Sequence, residues 1–561
     1  MSWSCRPPRD RAIVSASISR RAMLRIGSGA LLSASTLQAG RRISSAQDLP
    51  MATPNVLGSA MPPELSAYAV DWPAPQGSLA AHRAAAASPI TAATVDRLEV
   101  AWRFPLEAVG GYGAITAIPL IVGETVYLQD MESNVFALDR QSGTIRWRHD
   151  YASPTSGPNG VAVGYGMVFG SLGVSPELFA LDAVTGKEIW RTRLSANPNE
   201  FIFMQPIAYD NVVYIATSPA AYIGGTRGIL FALDAKSGGV LWQWDTTTDN
   251  LWGSARVNAG GGVWYPPSVD EQGNIYFGTG NPAPWPEFAV SMDEGTRPGP
   301  NLYTSSMVSL DTATGSLRWY VQAKPHDQFD HDFQQTPVLA TVIIDGQPVP
   351  LAIGAGKTGT VIAAHAESGE EIWRVSVGEH TAYGDGADLP EPSATPVTIL
   401  PGPYGGVESP PAFAHDTLYV PVVDLAFTYT DTTVDVDLAT ATGEMVALNA
   451  SDGSVRWRTA VDTFFAAGAT VANDVVFGAG LDGIVRGFDK ATGAEIWRYQ
   501  VGAGINAPLA VAGDLLLVPA GGPLFPATDA PPPARNELIA FRPRGDGDSA
   551  TTPEALASPS P

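Results

Sequence analysis

The sequence has little of several residue types, and each shortage excludes something. Its 561 residues include one cysteine, Cys5, in a segment that we expect to be removed, so disulfides, thiol catalysis and cysteine-ligated metals are excluded from the mature chain. Charged residues make up 16% and give a formal net charge of −23. That charge repels nucleic acid and anionic membranes at long range, so neither is predicted as a partner. No run of about 18 apolar residues is present, so no transmembrane anchor is predicted.

Glycine and proline are abundant, with 58 and 47 copies, and 45% of the residues are hydrophobic. Frequent Gly and Pro are typical of many short strands joined by tight turns, and they disfavour long helices. Length alone suggests several domains, but a repeat architecture breaks that expectation, so internal similarity has to be examined first.

Residues 1–45 predict an export signal. The pair Arg20-Arg21 precedes a mildly apolar, small-residue run over positions 26–39, and this arrangement resembles a twin-arginine signal. We therefore expect a periplasmic or secreted protein. The alternative is a disordered basic tail.

Two further segments lack the patterns of a folded core. Residues 46–95 are rich in Pro, Ala and Ser, which predicts a linker or an irregular covering segment. Residues 544–561 have no apolar periodicity, which predicts a disordered tail.

One frame recurs between these segments: an apolar strand ends at Asp, Asn or His, a Gly follows four residues later, and a Trp four residues after that. The turn residues are Asp139, Asp182, Asp234, Asp311, His365, Asn449 and Asp489, and the tryptophans are Trp147, Trp190, Trp242, Trp319, Trp373, Trp457 and Trp497. The turn residue bonds its own backbone, Gly supplies a positive φ, and Trp reaches a fixed height on the outgoing strand. Each indole can then cover the gap between neighbouring sheets.

Another short β-rich run precedes most copies, so each unit is a four-stranded meander, the blade of a propeller. An eighth blade is predicted from Val511–Pro519 and Glu537–Phe541 joined to Leu98–Phe104, which carries Trp102. Residues 96–543 therefore predict an all-β, eight-bladed β-propeller closed by its N- and C-terminal strands. Closure would remove exposed sheet edges.

This frame, the blade count and two long insertions, Trp242 to Trp319 and Trp373 to Trp457, resemble the pyrroloquinoline-quinone (PQQ) alcohol dehydrogenase family. The resemblance implies an oxidoreductase that oxidises an alcohol or sugar by hydride transfer to PQQ. No Cys-x-x-Cys-His haem motif is present, so the electron acceptor would be a separate molecule. The frame also occurs in non-catalytic propellers, including the scaffold lipoprotein of outer-membrane protein assembly, so a binding or assembly scaffold is the alternative.

The resemblance also implies site residues. The run Gly260-Gly-Gly-Val-Trp264 is similar to the family segment that places a Trp under the quinone, and Gly-Asn281-Pro is similar to the segment that supplies an Asn ligand to Ca²⁺. It further implies Asp311 as catalytic base and metal ligand, and Lys357 as the residue that polarises the quinone oxygens. Arg227 is a candidate for binding a carboxylate of the cofactor.

Ordinary structural roles remain open for all five. Asp311 occupies the repeat's own turn position, Asn281 could form an Asx turn, and Lys357 could be a solvated loop residue. Trp264 could pack within its loop, and Arg227 could hold one.

The sequence departs from the family at the metal. Ile223 stands where the family has a Glu ligand, the adjacent cysteine pair is absent, and Ala313 stands where lanthanide-using members have an extra acid. An amide without that carboxylate binds Ca²⁺ poorly. The cluster His326-Asp-Gln-Phe-Asp-His331-Asp332 could hold a divalent metal by itself, but we favour a structural role.

Overall fold

The computed structural model describes residues 16–19, 60–108, 110–219, 225–247, 259–283, 299–382, 395–430, 433–525 and 534–544. Outside these lie Ile223, the tail from residue 545 and the predicted export signal except for positions 16–19. Strands dominate, which confirms the all-β prediction; the described helices are Pro63–Ala67 and the 3-10 turns Val95–Arg97 and Leu438–Thr440. No helix in the described ranges is long and apolar enough to span a bilayer.

Eight antiparallel sheets of the meander type follow one another through the described ranges, and we number them in chain order. Sheet 1 contains Leu120–Val122, Thr125–Gln129, Val135–Asp139 and Ile145–His149, and sheet 2 contains Ala162–Gly164, Met167–Leu172, Glu177–Asp182 and Glu188–Arg193. Sheet 3 contains Ile207–Tyr209, Val212–Ala216, Ile229–Asp234 and Val240–Asp245, and sheet 4 contains Ser268–Val269, Asn274–Gly278, Ser306–Asp311 and Leu317–Gln322. Sheet 5 contains Val338–Ile344, Gln347–Ala355, Thr360–His365 and Glu371–Ser376, and sheet 6 contains Ala412–Ala414, Thr417–Asp424, Thr442–Asn449 and Val455–Val461. Sheet 7 contains Thr470–Ala472, Val475–Ala479, Ile484–Asp489 and Glu495–Gln500, and sheet 8 contains Ala510–Ala512, Leu515–Ala520, Glu537–Pro543 and Leu98–Pro105.

Smaller strand groups decorate these sheets. Glu200–Phe201 pairs with Ser218–Pro219, Ala259–Gly260 pairs with Pro282–Ala283, and Ala84–Ala85 runs parallel to the first strand of sheet 7. Ala16–Ser19, Thr433–Val436, Phe427–Tyr429 and Val397–Ile399 form one further sheet.

The repeat frame locks each sheet to the next. In the hairpin of sheet 2, Asp182 accepts from the backbone N–H and the hydroxyl of Thr185, and Gly186 adopts φ 70°. Trp147 of sheet 1 covers that glycine so closely that a Cβ there would lie 2.5 Å from the indole. Side-chain bulk is therefore excluded from this turn.

The same indole donates from Nε1 to the backbone carbonyl just after the turn residue of the following sheet. These bonds run from Trp102 to Arg140, Trp147 to Ala183, Trp190 to Ala235, Trp242 to Thr312, Trp319 to Ala366, Trp373 to Ala450 and Trp457 to Lys490, at 2.8 to 3.1 Å. Trp102 belongs to sheet 8 and reaches sheet 1. The frame is thus a connector between sheets as well as a turn.

Sheet 8 combines strands from near the two ends of the repeat region, as predicted: Leu98–Pro105 pairs antiparallel with Glu537–Pro543. Trp497 of sheet 7 meets Phe541 of sheet 8 edge-on, with ring centroids 6.0 Å apart. Each sheet therefore contacts the next, and sheet 8 contacts sheet 1.

Residues 60–90 form a strap across the first strands. Backbone N–H groups of the sheets donate to strap carbonyls: Asp210 to Ala60, Val269 to Leu79, Leu339 to Ala80, Phe413 to His82, and Val471 to Arg83. Ser88 donates from its hydroxyl to Gly513 of sheet 8, and Trp72 exchanges backbone bonds with Ile121 of sheet 1. The strap ties together sheets that are distant in sequence, within the segment predicted to be irregular.

Candidate functional site

Equivalent loops enter the first strand of each sheet, and the loops of sheets 3 to 6 contact one another through their side chains. The residues four positions before these strands are Thr116, Pro158, Phe203, Trp264, Gln334, Glu408, Ala466 and Asn506. Phe203 stacks on Trp264, Tyr265 donates from its hydroxyl to the carbonyl of Glu408, and Gln334 donates to the Glu408 carboxylate. Loops of sheets 3 to 6 therefore build one shared site.

Trp264 lies on a glycine-rich loop of this site. Its ring stacks on Phe203 with centroids 5.4 Å apart and planes 13° apart. A Cβ on Gly280 would lie 3.0 Å from the indole nitrogen, so glycine is needed for this approach. That nitrogen is buried without a hydrogen-bond partner among the described residues, which leaves a donor for a ligand.

The short pairing of Ala259–Gly260 with Pro282–Ala283 brings Asn281 beside the Trp264 loop. The backbone N–H of Asn281 donates to Oδ1 of Asp332 at 2.5 Å, and its side-chain amide donates to the carbonyl of Pro282 at 2.9 Å. Asn281 therefore lies in the predicted site, with its side-chain amide nitrogen bonded inside its own loop.

Lys357 places its ammonium between two carboxylates, 2.7 Å from Oδ2 of Asp332 and 3.0 Å from Oδ2 of Asp330. Burial alone would lower the pKa of Lys357, but the charges of Asp330 and Asp332 outweigh burial and raise it well above its usual value. Burial raises the pKa of Asp330 to about 7, against the opposing pull of Lys357. Lys357 is thus a fixed cation rather than a solvated loop residue.

Glu408 is an acid of this site that the sequence frame did not reveal. Burial raises its pKa to about 8; Lys357 opposes this shift, and Asp332 and Asp330 add to it. Its Oε1 is buried without a hydrogen-bond partner among the described residues, while Oε2 accepts from Gln334 at 3.4 Å. A carboxyl of this kind can exchange a proton near neutral pH.

Arg227 approaches the same loop through its backbone. It forms a parallel bridge with Gly260, and its guanidinium pairs with Asp245 at 2.8 Å. These contacts support the role of holding the loop that carries Trp264.

Asp311 lies elsewhere, and this corrects its assignment as catalytic base and metal ligand. Its Oδ1 accepts from the backbone N–H and the hydroxyl of Thr314, so it caps the hairpin turn of sheet 4. Asp311 ends its strand opposite Asn274, whereas the other end of that strand, Ser306, bonds Thr279 next to the site. These ends are five residue steps apart along the strand, about 16 Å.

We expect Asp311→Ala to leave cofactor affinity unchanged and to lower the free energy of unfolding by about 1 kcal/mol, because only a turn cap is lost. Asp182→Ala is the matched control, since Asp182 makes the same two bonds to Thr185. Chemical denaturation of both variants measures the cost. If Asp311→Ala lost PQQ binding and Asp182→Ala did not, Asp311 would contribute to the cofactor site after all.

The acid–histidine cluster divides into His331, which is held by contacts within the fold, and Asp330 and Asp332, which belong to the candidate site. His331 is buried; its Nδ1 pairs with Nζ of Lys324 at 2.6 Å, and its Nε2 donates to the carbonyl of Pro401 at 2.9 Å. Burial and the charge of Lys324 lower the pKa of His331 well below its usual value. A neutral imidazole with both nitrogens engaged is a structural element, and only Asp330 and Asp332 of this cluster reach Lys357.

Sequence reasoning missed Phe203, Tyr265 and Glu408. The signal that could have found them is positional, because they lie four or three residues before a first strand. Counting back three or four residues from the start of each first strand would have selected these three residues, whereas counting from the Trp frame did not.

An all-β assembly of Trp-linked meanders with an aromatic and ionic site at the loop ends is the architecture of a quinoprotein-type propeller. The family described as glucose/ethanol/alcohol dehydrogenase, beta-propeller domain, matches residues 72–167 and 195–385, just over half of the chain. The chain belongs to this PQQ propeller family. The family of outer membrane protein assembly factor BamB matches residues 357–547.

Individual relatives agree with this placement. The chain is 26% identical over 507 residues to a quinohemoprotein alcohol dehydrogenase of Comamonas testosteroni, covering 78% of this chain and 70% of that protein. It is 26% identical over 520 residues to the putative dehydrogenase XoxF of Paracoccus denitrificans, covering 78% and 84%. The crystal structure of the Comamonas testosteroni enzyme superposes with a TM-score of 0.74 at 23% identity, over 88% of this chain and 83% of that one, so the fold is shared.

Proposed function

We propose that this protein is an exported PQQ-dependent dehydrogenase that oxidises an alcohol or a sugar and passes the electrons to a separate acceptor. The observation that carries the proposal is the site itself: Trp264 stacked on Phe203, beside the fixed cation Lys357 and the half-buried acid Glu408, whose Oε1 has no hydrogen-bond partner among the described residues. The relatives named as alcohol dehydrogenases support the substrate class.

We further propose that the eight sheets are blades of one closed ring, and that the twin-arginine-type segment exports it. Seven Trp bonds and the Trp497–Phe541 contact support the ring, since they link each sheet to its neighbour. In such a ring, loops of distant sheets meet over one axis, which accounts for the meeting of Phe203, Trp264 and Glu408.

The residues fit PQQ. Phe203 stacks on one face of Trp264, a flat aromatic acid matches the other face, and Lys357 offers positive charge to the oxygens of that acid. A Ca²⁺ centre does not fit: the described ranges contain no group of three metal-binding acidic, histidine or cysteine side chains, and Asp311 is remote. We therefore assign no step to a metal.

When bound, PQQ supplies the hydride acceptor for the alcohol carbon. The chain's own part is to hold the ring on Trp264, to present the ammonium of Lys357, and to take the hydroxyl proton. Glu408 replaces Asp311 as the candidate base, because its Oε1 is partnerless among the described residues and because its ionised form, which becomes the major form above a pKa of about 8, is a stronger base than an ordinary carboxylate.

Calorimetric titration of the purified protein with PQQ tests this proposal. We expect saturable binding, a loss of about 10- to 100-fold in affinity for Trp264→Ala, and a smaller loss for Trp264→Phe, which keeps an aromatic plane. Asp311→Ala is the control that should bind as the wild type does. Dye reduction with alcohols and sugars then defines the substrate.

A non-catalytic propeller that serves as a binding or assembly scaffold is the second candidate. It is favoured by Ile223 at the family's Glu position and by the BamB family match over residues 357–547. Absence of PQQ binding in the wild type would select it. Restored Ca²⁺ affinity in Ile223→Glu would then indicate descent from a metal-dependent enzyme.

A further inference from the structure

We propose that the ammonium of Lys357 is the resident cation of this site, so that the site takes up neither Ca²⁺ nor a lanthanide and binds PQQ without a metal. The quinone half of this inference rests on the proposed function. The cation half concerns the protein alone and can be tested without quinone.

The carboxylate beside Asn281 has both oxygens engaged. Oδ1 of Asp332 accepts the backbone N–H of Asn281, and Oδ2 accepts the ammonium of Lys357. Asp332 is buried, with 1% of its surface exposed, so water cannot replace the hydrogen bonds that its oxygens would lose on binding a metal ion. A hard cation needs about six to eight oxygen ligands, and here both carboxylate oxygens of Asp332 already accept hydrogen bonds from the protein.

The second carboxylate is held by the same ammonium, since Oδ2 of Asp330 lies 3.0 Å from Nζ of Lys357. The side-chain exposure of Lys357 is 12%, which weakens solvent screening of this charge. A divalent ion coordinated by Asp332 would lie within about 5 Å of Nζ, where two like charges repel strongly. The ammonium therefore excludes a metal from the acids that it neutralises.

The sequence agrees with this reading. Ile223 removes one carboxylate that the resemblance would require, and Asp311 caps a turn remote from Asn281. Asn281 is the one predicted metal ligand that the structure brings to the site.

The first experiment compares binding in two buffers, one with EDTA and one with about 1 mM Ca²⁺ or La³⁺, a level that saturates most protein Ca²⁺ sites. Calorimetry of the full-length protein with PQQ should give dissociation constants that agree within about two-fold. Loss of affinity in EDTA with recovery in Ca²⁺ would overturn the inference. If PQQ binds in neither buffer, the proposed function fails, and the metal titration still decides the cation half.

The second experiment titrates Ca²⁺ and La³⁺ into quinone-free protein and follows heat and melting temperature. We expect no saturable site in the wild type or in Lys357→Arg. Lys357→Met leaves Asp330 and Asp332 uncompensated, so its Ca²⁺ affinity should rise at least about ten-fold, with a Ca²⁺-dependent rise in melting temperature. Lys187→Met, at an exposed position, is the control for the general effect of lost positive charge.

A tight wild-type Ca²⁺ site that is unaffected by Lys357→Met would contradict the inference. If Lys357→Met does not fold in EDTA, the wild-type and Lys357→Arg titrations decide it alone. Circular dichroism before each titration separates these cases.

Discussion

Replacing Trp319 by alanine is expected to lower the free energy of unfolding by about 3–5 kcal/mol. Trp319 joins sheets 4 and 5: it is 7% exposed, and its Nε1 donates to the carbonyl of Ala366 at 2.9 Å. A Cβ on Gly369 would lie 2.7 Å from its ring, which shows how closely the indole fills the space above the turn. The truncation removes this packing and orphans the carbonyl. Urea denaturation followed by circular dichroism measures the loss.

Trp319→Phe is the matched control. It keeps most of the aromatic packing and loses the hydrogen bond, so its expected cost is smaller, about 1–2 kcal/mol. If both variants unfold at the wild-type urea midpoint, the Trp connector does not stabilise the assembly, and the ring proposal loses its main support.

Replacing Glu408 by glutamine is expected to change the pH dependence of stability. The pKa of Glu408 is about 8 in the folded protein against an ordinary 4.5, so between these values the folded state binds more protons than the unfolded state. The contribution of this group is therefore fully present below about pH 4.5, and it is lost as pH rises through about 8. Glutamine does not titrate and remains neutral throughout.

Stability curves of both proteins from pH 4.5 to 9 provide the measurement. The variant should match the wild type at the acid end and exceed it by about 2–4 kcal/mol above pH 8. Glu367→Gln, at an exposed position, should follow the wild type throughout. A constant offset between the wild type and Glu408→Gln would mean that folding does not raise the pKa of Glu408, and the proposal that this carboxyl exchanges a proton near neutral pH would be wrong.

The Trp frame could be predicted from the sequence because the contacts that form it lie within a few residues of one another. Asp182, Gly186 and the backbone between them form a turn through contacts within a few residues, and the same chemistry recurs at each copy. Pairing of the chain ends also followed, because one strand with a Trp and two without made a single incomplete unit. Residues 60–95 carried no such pattern, so the path of the strap across the first strands was not predicted.

The same regularity misled the choice of base. Asp311 follows the site segments in sequence, but the strand it terminates carries it about 16 Å away, whereas Glu408 arrives from a loop between sheets 5 and 6. Sequence spacing along one sheet does not measure the distance between residues on different sheets.

The sequence by itself determined the repeating unit, the all-β class and the family, because turn chemistry and aromatic placement are encoded within each copy, whereas the roles of Trp264, Asn281 and Lys357 stay predictions. Only the tertiary structure decided that Lys357 is held between Asp330 and Asp332, that Glu408 is half-buried with a raised pKa, and that Asp311 caps a turn. Burial and ion pairing depend on which loops from separate sheets meet, and the local chain does not specify that meeting.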